Sequence, residues 1–237
     1  CRPLEHGADL VWNSTTKWLH GSGTTIGGVV VDGGSFPWAD PDADYPEMAG
    51  ENPAFGIDFS ERFGERAFAM AARHRAVRAL GNQQSPFDAW QTLQGLETLP
   101  IRMEKHCENA LAVAEFLRDH PGVAWVTYPG FEDHPTHGNA KRYLDGGFGG
   151  MVTFGLDGGF EASKRLCEEV DLASFLANIG DAKTLVIHPA STTHAQLSEA
   201  EQRAAGVDPS MLRLSVGIED PEDVIADLER GIDRATE

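Results

Sequence analysis

The chain has 237 residues, of which 41% are hydrophobic and 24% charged, and its 37 acidic residues outnumber 19 Lys and Arg to give a formal net charge of −18. That length and apolar content suffice for a real core, in one large domain or two smaller ones. The charge repels phosphates over most of the surface and so excludes nucleic acid and anionic membranes as partners. With five lysines in all, the acidity fits either a salty cytoplasm or a solubility bias.

Cys1, Cys107 and Cys167 are odd in number, widely spaced and form no C-x-x-C, which argues against a disulfide framework or a zinc site; reduced thiols and no metal are expected. No apolar run reaches the length of a membrane span, and residues 1–6 lack the basic and apolar regions of a signal peptide. Cytoplasmic residence is the expectation. Because the first residue is not Met and a strand begins almost at once, the chain reads as a fragment or a processed form.

Apolar stretches at 8–12 and 25–31 are predicted strands, the first read as buried, the second closing at a turn, Asp32-Gly33-Gly34. Between them lie Ser14-Thr15-Thr16-Lys17 and Gly21-Ser22-Gly23-Thr24-Thr25-Ile26-Gly27-Gly28. A lysine behind two hydroxyl residues can offer its amine to a carbonyl while the hydroxyls hold a phosphate, which is what a pyridoxal-phosphate Schiff base requires. Two other phosphate motifs fail on spacing. A nucleotide P-loop needs its lysine after the glycines, and the dinucleotide fingerprint meets Ile26 where its third glycine belongs.

Residues 35–59 have no clear period, are rich in Pro, Asp, Gly and aromatics, and are too long for an ordinary connection; they read as an excursion covering a site or a subunit contact. From Ser60 the spacing of Phe63, Ala67, Met70, Ala71, Val77 and Leu80 predicts one helix, stopped by Gly81-Asn82 and carrying Arg73, Arg75 and Arg78 near its C-terminus. A longer helix begins at Ser85-Pro86, is kinked at Pro100 and runs to His120-Pro121-Gly122. A helix of that length joins domains, so the boundary is set at its start: 1–84 and 85–237. Beyond it, 123–128, 150–156 and 211–216 read as strands and 162–170, 198–205 and 221–232 as helices, a small α/β layer of its own.

With these segments in place, the chain resembles the Cys/Met-metabolism family of pyridoxal-phosphate enzymes, and most closely its branch acting on O-acetylhomoserine. The resemblance is carried by Ser14-Thr15-Thr16-Lys17 and its glycine loop, by Gln94-Gly95-Leu96-Glu97-Thr98-Leu99 and Arg102-Met103-Glu104-Lys105-His106-Cys107-Glu108-Asn109-Ala110, and by Gly147-Phe148-Gly149-Gly150. Leu185-Val186-Ile187-His188-Pro189-Ala190-Ser191-Thr192-Thr193-His194 and Leu212-Arg213-Leu214-Ser215-Val216-Gly217-Ile218-Glu219 complete it, all in family order.

The resemblance implies the fold type I, aspartate-aminotransferase-like α/β fold: the C-terminal portion of a large cofactor domain in residues 1–84 and a small C-terminal domain in 85–237. It implies pyridoxal 5′-phosphate as cofactor, with Lys17 as Schiff-base lysine and proton shuttle and Ser14 and Thr16 on the phosphate. Arg213 would grip the substrate α-carboxylate in its planar fork, and Asn178 stands where transsulfuration relatives carry Ser, a change favouring the sulfhydrylase branch. The implied reaction is γ-replacement on O-acetyl-L-homoserine by sulfide or a thiol, giving homocysteine or methionine and acetate, in a homodimer or homotetramer. A cystathionine γ-synthase or γ-lyase activity, or a catalytically inactive fragment, are the alternatives.

The family pattern is broken at Asn13 and Ser22, where many relatives carry His. The family's proteins are also much longer, so the partners of the cofactor ring, its pyridine nitrogen and the leaving group would precede Cys1. His134 and His137 lack a third ligand and read as loop residues. His188 and His194 read as shaping a loop, Trp12, Trp38, Trp90 and Trp125 as packing residues, and Glu104, Glu108 and Glu115 as a solvated helix face.

Overall fold

The computed structural model describes residues 1–237, except for the side chain at position 43. The chain forms two compact units, one of Cys1–Thr15 and Ile26–Gln91, the other of Thr16–Thr25 and Thr92–Glu237. Among the described residues no helix is long and apolar enough to cross a membrane.

In the first unit β1 (Leu10–Ser14) pairs antiparallel with β2 (Gly28–Asp32), Leu10 facing Asp32 and Ser14 facing Gly28. The expectation of a buried strand is corrected here: Trp12 is 77% and Val30 58% exposed, because a two-stranded ribbon offers no third layer to cover its outer face. The excursion is organised by aromatics. Trp38 stacks on Phe68 at 5.7 Å and lies against Phe36 and Tyr45, next to a small core of Met48, Phe59, Ala67 and Ala71.

The single helix expected from Ser60 is instead broken. Helix α1 (Phe59–Phe63) is capped by Asp58, whose carboxylate accepts from the Glu61 N–H at 2.9 Å, and it ends at Gly64, whose φ of +54° is left-handed. After one tight turn α2 (Ala67–Ala72) follows, and the chain then widens into π-type turns over Arg73–Ala79. The long helix is likewise two. Helix α3 (Pro86–Glu97) and α4 (Leu99–Asp119) are separated at Thr98, and Pro100 sits in the first turn of α4, where its missing N–H breaks no hydrogen bond. Trp90, expected to pack, is 55% exposed on α3.

The second unit then lays down β3 (Val123–Thr127), α5 (His137–Tyr143), β4 (Met151–Leu156), α6 (Gly159–Glu169), β5 (Ser174–Phe175), β6 (Leu185–Ile187), α7 (Glu199–Ala204), β7 (Met211–Ser215) and α8 (Pro221–Thr236). The five strands form one sheet in the order β3-β4-β7-β6-β5, antiparallel except for β5 with β6. Helices α4, α6 and α8 give Val113, Ala114, Leu117, Leu166, Leu228 and Ile232 to a core shared with Val152, Phe154, Leu212 and Leu214. Each Val, Leu, Ile or Phe side chain among them, taken out of water, contributes about 1.5–3 kcal/mol.

Strand alternation on β7 does the rest. Leu212 and Leu214 point into that core, so Arg213 between them projects from the opposite face of the sheet. The buried carboxylate of Asp227 on α8 accepts from the N–H groups of Asp171, Leu172 and Ala173 at 2.9–3.0 Å, fixing the entry to β5.

Candidate active site

Lys17 follows the end of β1, where the backbone enters a wide turn over Thr15–Leu19 but leaves helical geometry at Lys17 itself, φ −91° and ψ −132°. The Gly21 N–H then returns to the Lys17 carbonyl at 2.8 Å, and the Gly21 carbonyl accepts from the Ala182 N–H at 2.8 Å. That pair of bonds joins the lysine turn to the loop that follows Asn178.

Three expected residues meet there. The Lys17 Nζ donates to Asn178 Oδ1, and an Arg213 Nη2 donates to the Asn178 backbone carbonyl at 3.4 Å. All three are half-buried, and burial pushes the Arg213 guanidinium below its ordinary value. With Oδ1 turned to the lysine, the Asn178 amide keeps its NH2 group for another acceptor. Gly23 lies close by: a Cβ there would come 2.8 Å from Asp181 Oδ2 and 3.3 Å from Asn178 Nδ2. Ser14 ends β1, exposed, in the first unit, and Thr16, half-buried, opens the lysine segment of the second.

The loop carrying Asn178 is held from β7. Ser215, buried two residues beyond Arg213, accepts from the Gly180 N–H at 3.0 Å. Gly180 has φ +75°, and a Cβ on it would come 2.6 Å from the Trp18 backbone nitrogen, so the loop lies directly against the residue after Lys17. Thr184 and Glu219 complete the anchorage, the Glu219 carboxylate accepting from both the backbone N–H and the hydroxyl of Thr184. Asn109 on α4 donates to the Gly217 and Glu219 carbonyls at 3.0 and 2.7 Å.

On the other side of Trp18 stands His106, fully buried. Its Nδ1–H donates to the Val216 carbonyl at 2.7 Å and its ring meets the Trp18 indole edge-on, with centroids 4.7 Å apart. Burial, the largest influence, lowers its pKa, and the Nε2 so left without a proton has no hydrogen-bond partner. Motifs alone do not single out this cluster, though residue spacing marks it. Ser215 shares a strand face with Arg213 by the two-residue period, while Arg102, His106 and Asn109 recur at helical steps on α4, on the face opposite the exposed Glu104, Glu108 and Glu115.

His188 is bound into its loop, whereas His137, expected in a loop, is instead the first residue of α5. His188 Nε2–H donates to the Pro209 carbonyl and its Nδ1 accepts from the Ser191 hydroxyl, both at 2.8 Å. His137 donates to the Pro129 carbonyl at 2.9 Å.

Residues 1–233 match the family described as Cys/Met metabolism PLP-dependent enzyme. The homocysteine synthase of Schizosaccharomyces pombe is 48% identical over 99% of this chain, and the O-acetyl-L-homoserine sulfhydrylase 1 of Thermus thermophilus 50% identical over 98%. This chain spans about half the length of these relatives, 55% of each. Among solved structures, one from Campylobacter jejuni described as an O-acetylhomoserine (thiol)-lyase and containing N′-pyridoxyl-lysine-5′-monophosphate superposes with a TM-score of 0.92 at 36% identity, covering 98% of this chain and 55% of that one. A cystathionine gamma synthase from Xanthomonas oryzae, in complex with aminoacrylate and cysteine, gives 0.79 at 37%, over 99% and 52%. The fold is therefore that of the fold type I enzymes, and the chain belongs to the Cys/Met metabolism PLP-dependent enzyme family.

Proposed function

We propose that this chain supplies the lysine and the carboxylate-binding half of an active site for γ-replacement on O-acetyl-L-homoserine by sulfide or a thiol. The observation that carries the reading is the convergence of Lys17, Asn178 and Arg213, separated by up to 196 residues in sequence, onto one half-buried spot. The residues suit pyridoxal phosphate. The Lys17 amine is turned onto Asn178 rather than into bulk water, and the resemblance assigns the phosphate to the hydroxyls of Ser14 and Thr16. Once bound, that group supplies an electron sink that weakens the Cα–H and Cβ–H bonds of an amino acid.

The chain's own residues do the rest. Arg213 receives the substrate α-carboxylate on its guanidinium, and its partial burial strengthens that ion pair relative to water. The Asn178 NH2 donates to the same carboxylate. Held so, the substrate presents Cα to the Lys17 Nζ, which takes the proton there and returns it when product forms. The 48–50% identity to a homocysteine synthase and an O-acetyl-L-homoserine sulfhydrylase supports the acetyl ester and sulfide as substrates.

Residues 1–84 are read as the end of the large cofactor domain and 85–237 as the small domain, in a homodimer or homotetramer working in the cytoplasm. The test is twofold. Borohydride reduction of the purified holoenzyme followed by peptide mapping should find a pyridoxyl group on Lys17. Assays should show homocysteine from O-acetylhomoserine and sulfide; turnover only of O-succinylhomoserine with cysteine would assign the cystathionine-forming reaction instead.

A further inference from the structure

Arg102 on α4 is a buried arginine that no carboxylate partners. Among the described residues none lies within ion-pair distance of it, and burial alone pushes its pKa down. Its donors go to neutral oxygens: Nη1 to the Trp18 carbonyl at 3.0 Å, Nη2 to the Leu19 carbonyl at 3.3 Å and the Gly95 carbonyl at 2.8 Å, and Nε to the Thr98 hydroxyl at 3.1 Å. Taking a guanidinium out of water without a counter-charge is unfavourable, and the return here is geometric: a rigid planar fork fixes several carbonyls at once.

Two of those carbonyls belong to the residues directly after Lys17. The backbone around the fork is built to admit it. Gly21, at φ +83°, lies so close that a Cβ would fall on the guanidinium, and Gly95 backs onto the main chain of His20, where a Cβ would come 2.7 Å from the His20 Cα. The turn is thus held by α4 through Arg102, by His106 against the Trp18 ring, and by Gly180 against the Trp18 nitrogen. Only the first of these grips the backbone with charged donors, and charge-assisted hydrogen bonds are about twice as strong as neutral ones.

We propose that Arg102 is a positioning residue: its four-point grip on Trp18, Leu19, Gly95 and Thr98 sets the backbone turn that aims the Lys17 amine. The proposal rests on the reading of Lys17 as the reacting amine. A misplacement of about 1 Å in such a group costs up to ~10²-fold in rate while leaving binding largely intact. Arg102 touches neither the substrate-binding guanidinium of Arg213 nor Asn178, so its loss acts first on the lysine turn and its amine.

The experiment compares wild-type, Arg102→Met and Arg102→Lys holoenzymes by hydrogen exchange at amides 18–21, by kcat and KM, and by the pH titration of the cofactor absorbance. In Arg102→Met, exchange at 18–21 should rise tenfold or more above the change at the β4 and β7 amides. The kcat should fall about tenfold or more with KM moved less than about threefold, and the absorbance titration should shift. Arg102→Lys, with three donors but no fork, should recover part of each.

Unchanged kcat and exchange in Arg102→Met would overturn the proposal. So would exchange raised uniformly through the sheet with no recovery by lysine, which marks a merely structural side chain. Should Arg102→Met not fold, Arg102→Lys decides: a rise confined to 18–21 with lowered kcat supports the proposal, and wild-type values refute it. Peptide mapping of the reduced wild-type enzyme separates the two failures, since a pyridoxyl group away from Lys17 sinks the functional reading whatever Arg102 does.

Discussion

Replacing Gly180 by Ala tests the contact between the Asn178 loop and the lysine turn with a single methyl group. Gly180 has φ +75°, so alanine there bears the left-handed penalty of ~1–2 kcal/mol, offset by ~0.4–1 kcal/mol through the stiffer unfolded chain. The new Cβ would also come 2.6 Å from the Trp18 nitrogen and 2.8 Å from its Cδ2, where neither backbone nor indole can retreat, adding an overpacking cost of ~1–3 kcal/mol. The sum is a loss of about 1–5 kcal/mol. Gly146 supplies the control: at φ +78° it has nothing within 4 Å of the same methyl, so Gly146→Ala isolates the backbone cost of about 1 kcal/mol. Urea unfolding of the two holoenzymes, followed by tryptophan fluorescence, should separate them by at least about 1 kcal/mol, and kcat should fall in Gly180→Ala alone. Equal unfolding midpoints for both variants would mean that the loop and the turn do not meet as described.

Asp227→Ala should cost about 2–4 kcal/mol, because it strands the N–H groups of Asp171, Leu172 and Ala173 at the start of β5; a loss under 0.5 kcal/mol by urea midpoint would contradict it. Stability should fall from pH 7 to pH 5. Burial lowers the pKa of both His106 and His188 in the folded state, so below about 6.5 the unfolded chain binds more protons, and each histidine adds a slope of up to about 1.4 kcal/mol per pH unit. His188→Asn should flatten that slope in urea titrations, and an unaltered slope would show that His188 is charged when folded. Burial pushes the Cys167 thiol up to about 12, so iodoacetamide at pH 8 should alkylate the exposed Cys1 and spare Cys167 until the protein is unfolded, as read by mass mapping.

Strands β4 and β7 and helices α6 and α8 follow directly from hydrophobic period, because each buries one face against the same core. What period does not report is the local break. Gly64 and Thr98 split two helical patterns whose apolar spacing runs through the break unaltered, and β6 is three residues long, too short for any period. Burial misled in the opposite direction at Trp12 and Trp90, since apolar composition marks what can be covered and not what covers it. Lys17, Asn178 and Arg213 are legible only as members of separate motifs, and their meeting is a tertiary fact. The supports are harder still to see. A buried arginine hydrogen-bonded to carbonyls looks, in sequence, like any solvated cation on a helix.

The β1–β2 ribbon has a consequence for the behaviour of these 237 residues in concentrated solution. Val29, Val30, Val31 and Trp12 stand exposed on two adjacent strands, with no proline within either and no lysine to discourage a third. Such an edge is a template for strand addition, by a covering segment or by another molecule of the same kind. Left bare, it would set the solubility limit of the polypeptide in spite of its high negative charge, because like charges slow the first encounter but do not undo a sheet once the amides have paired.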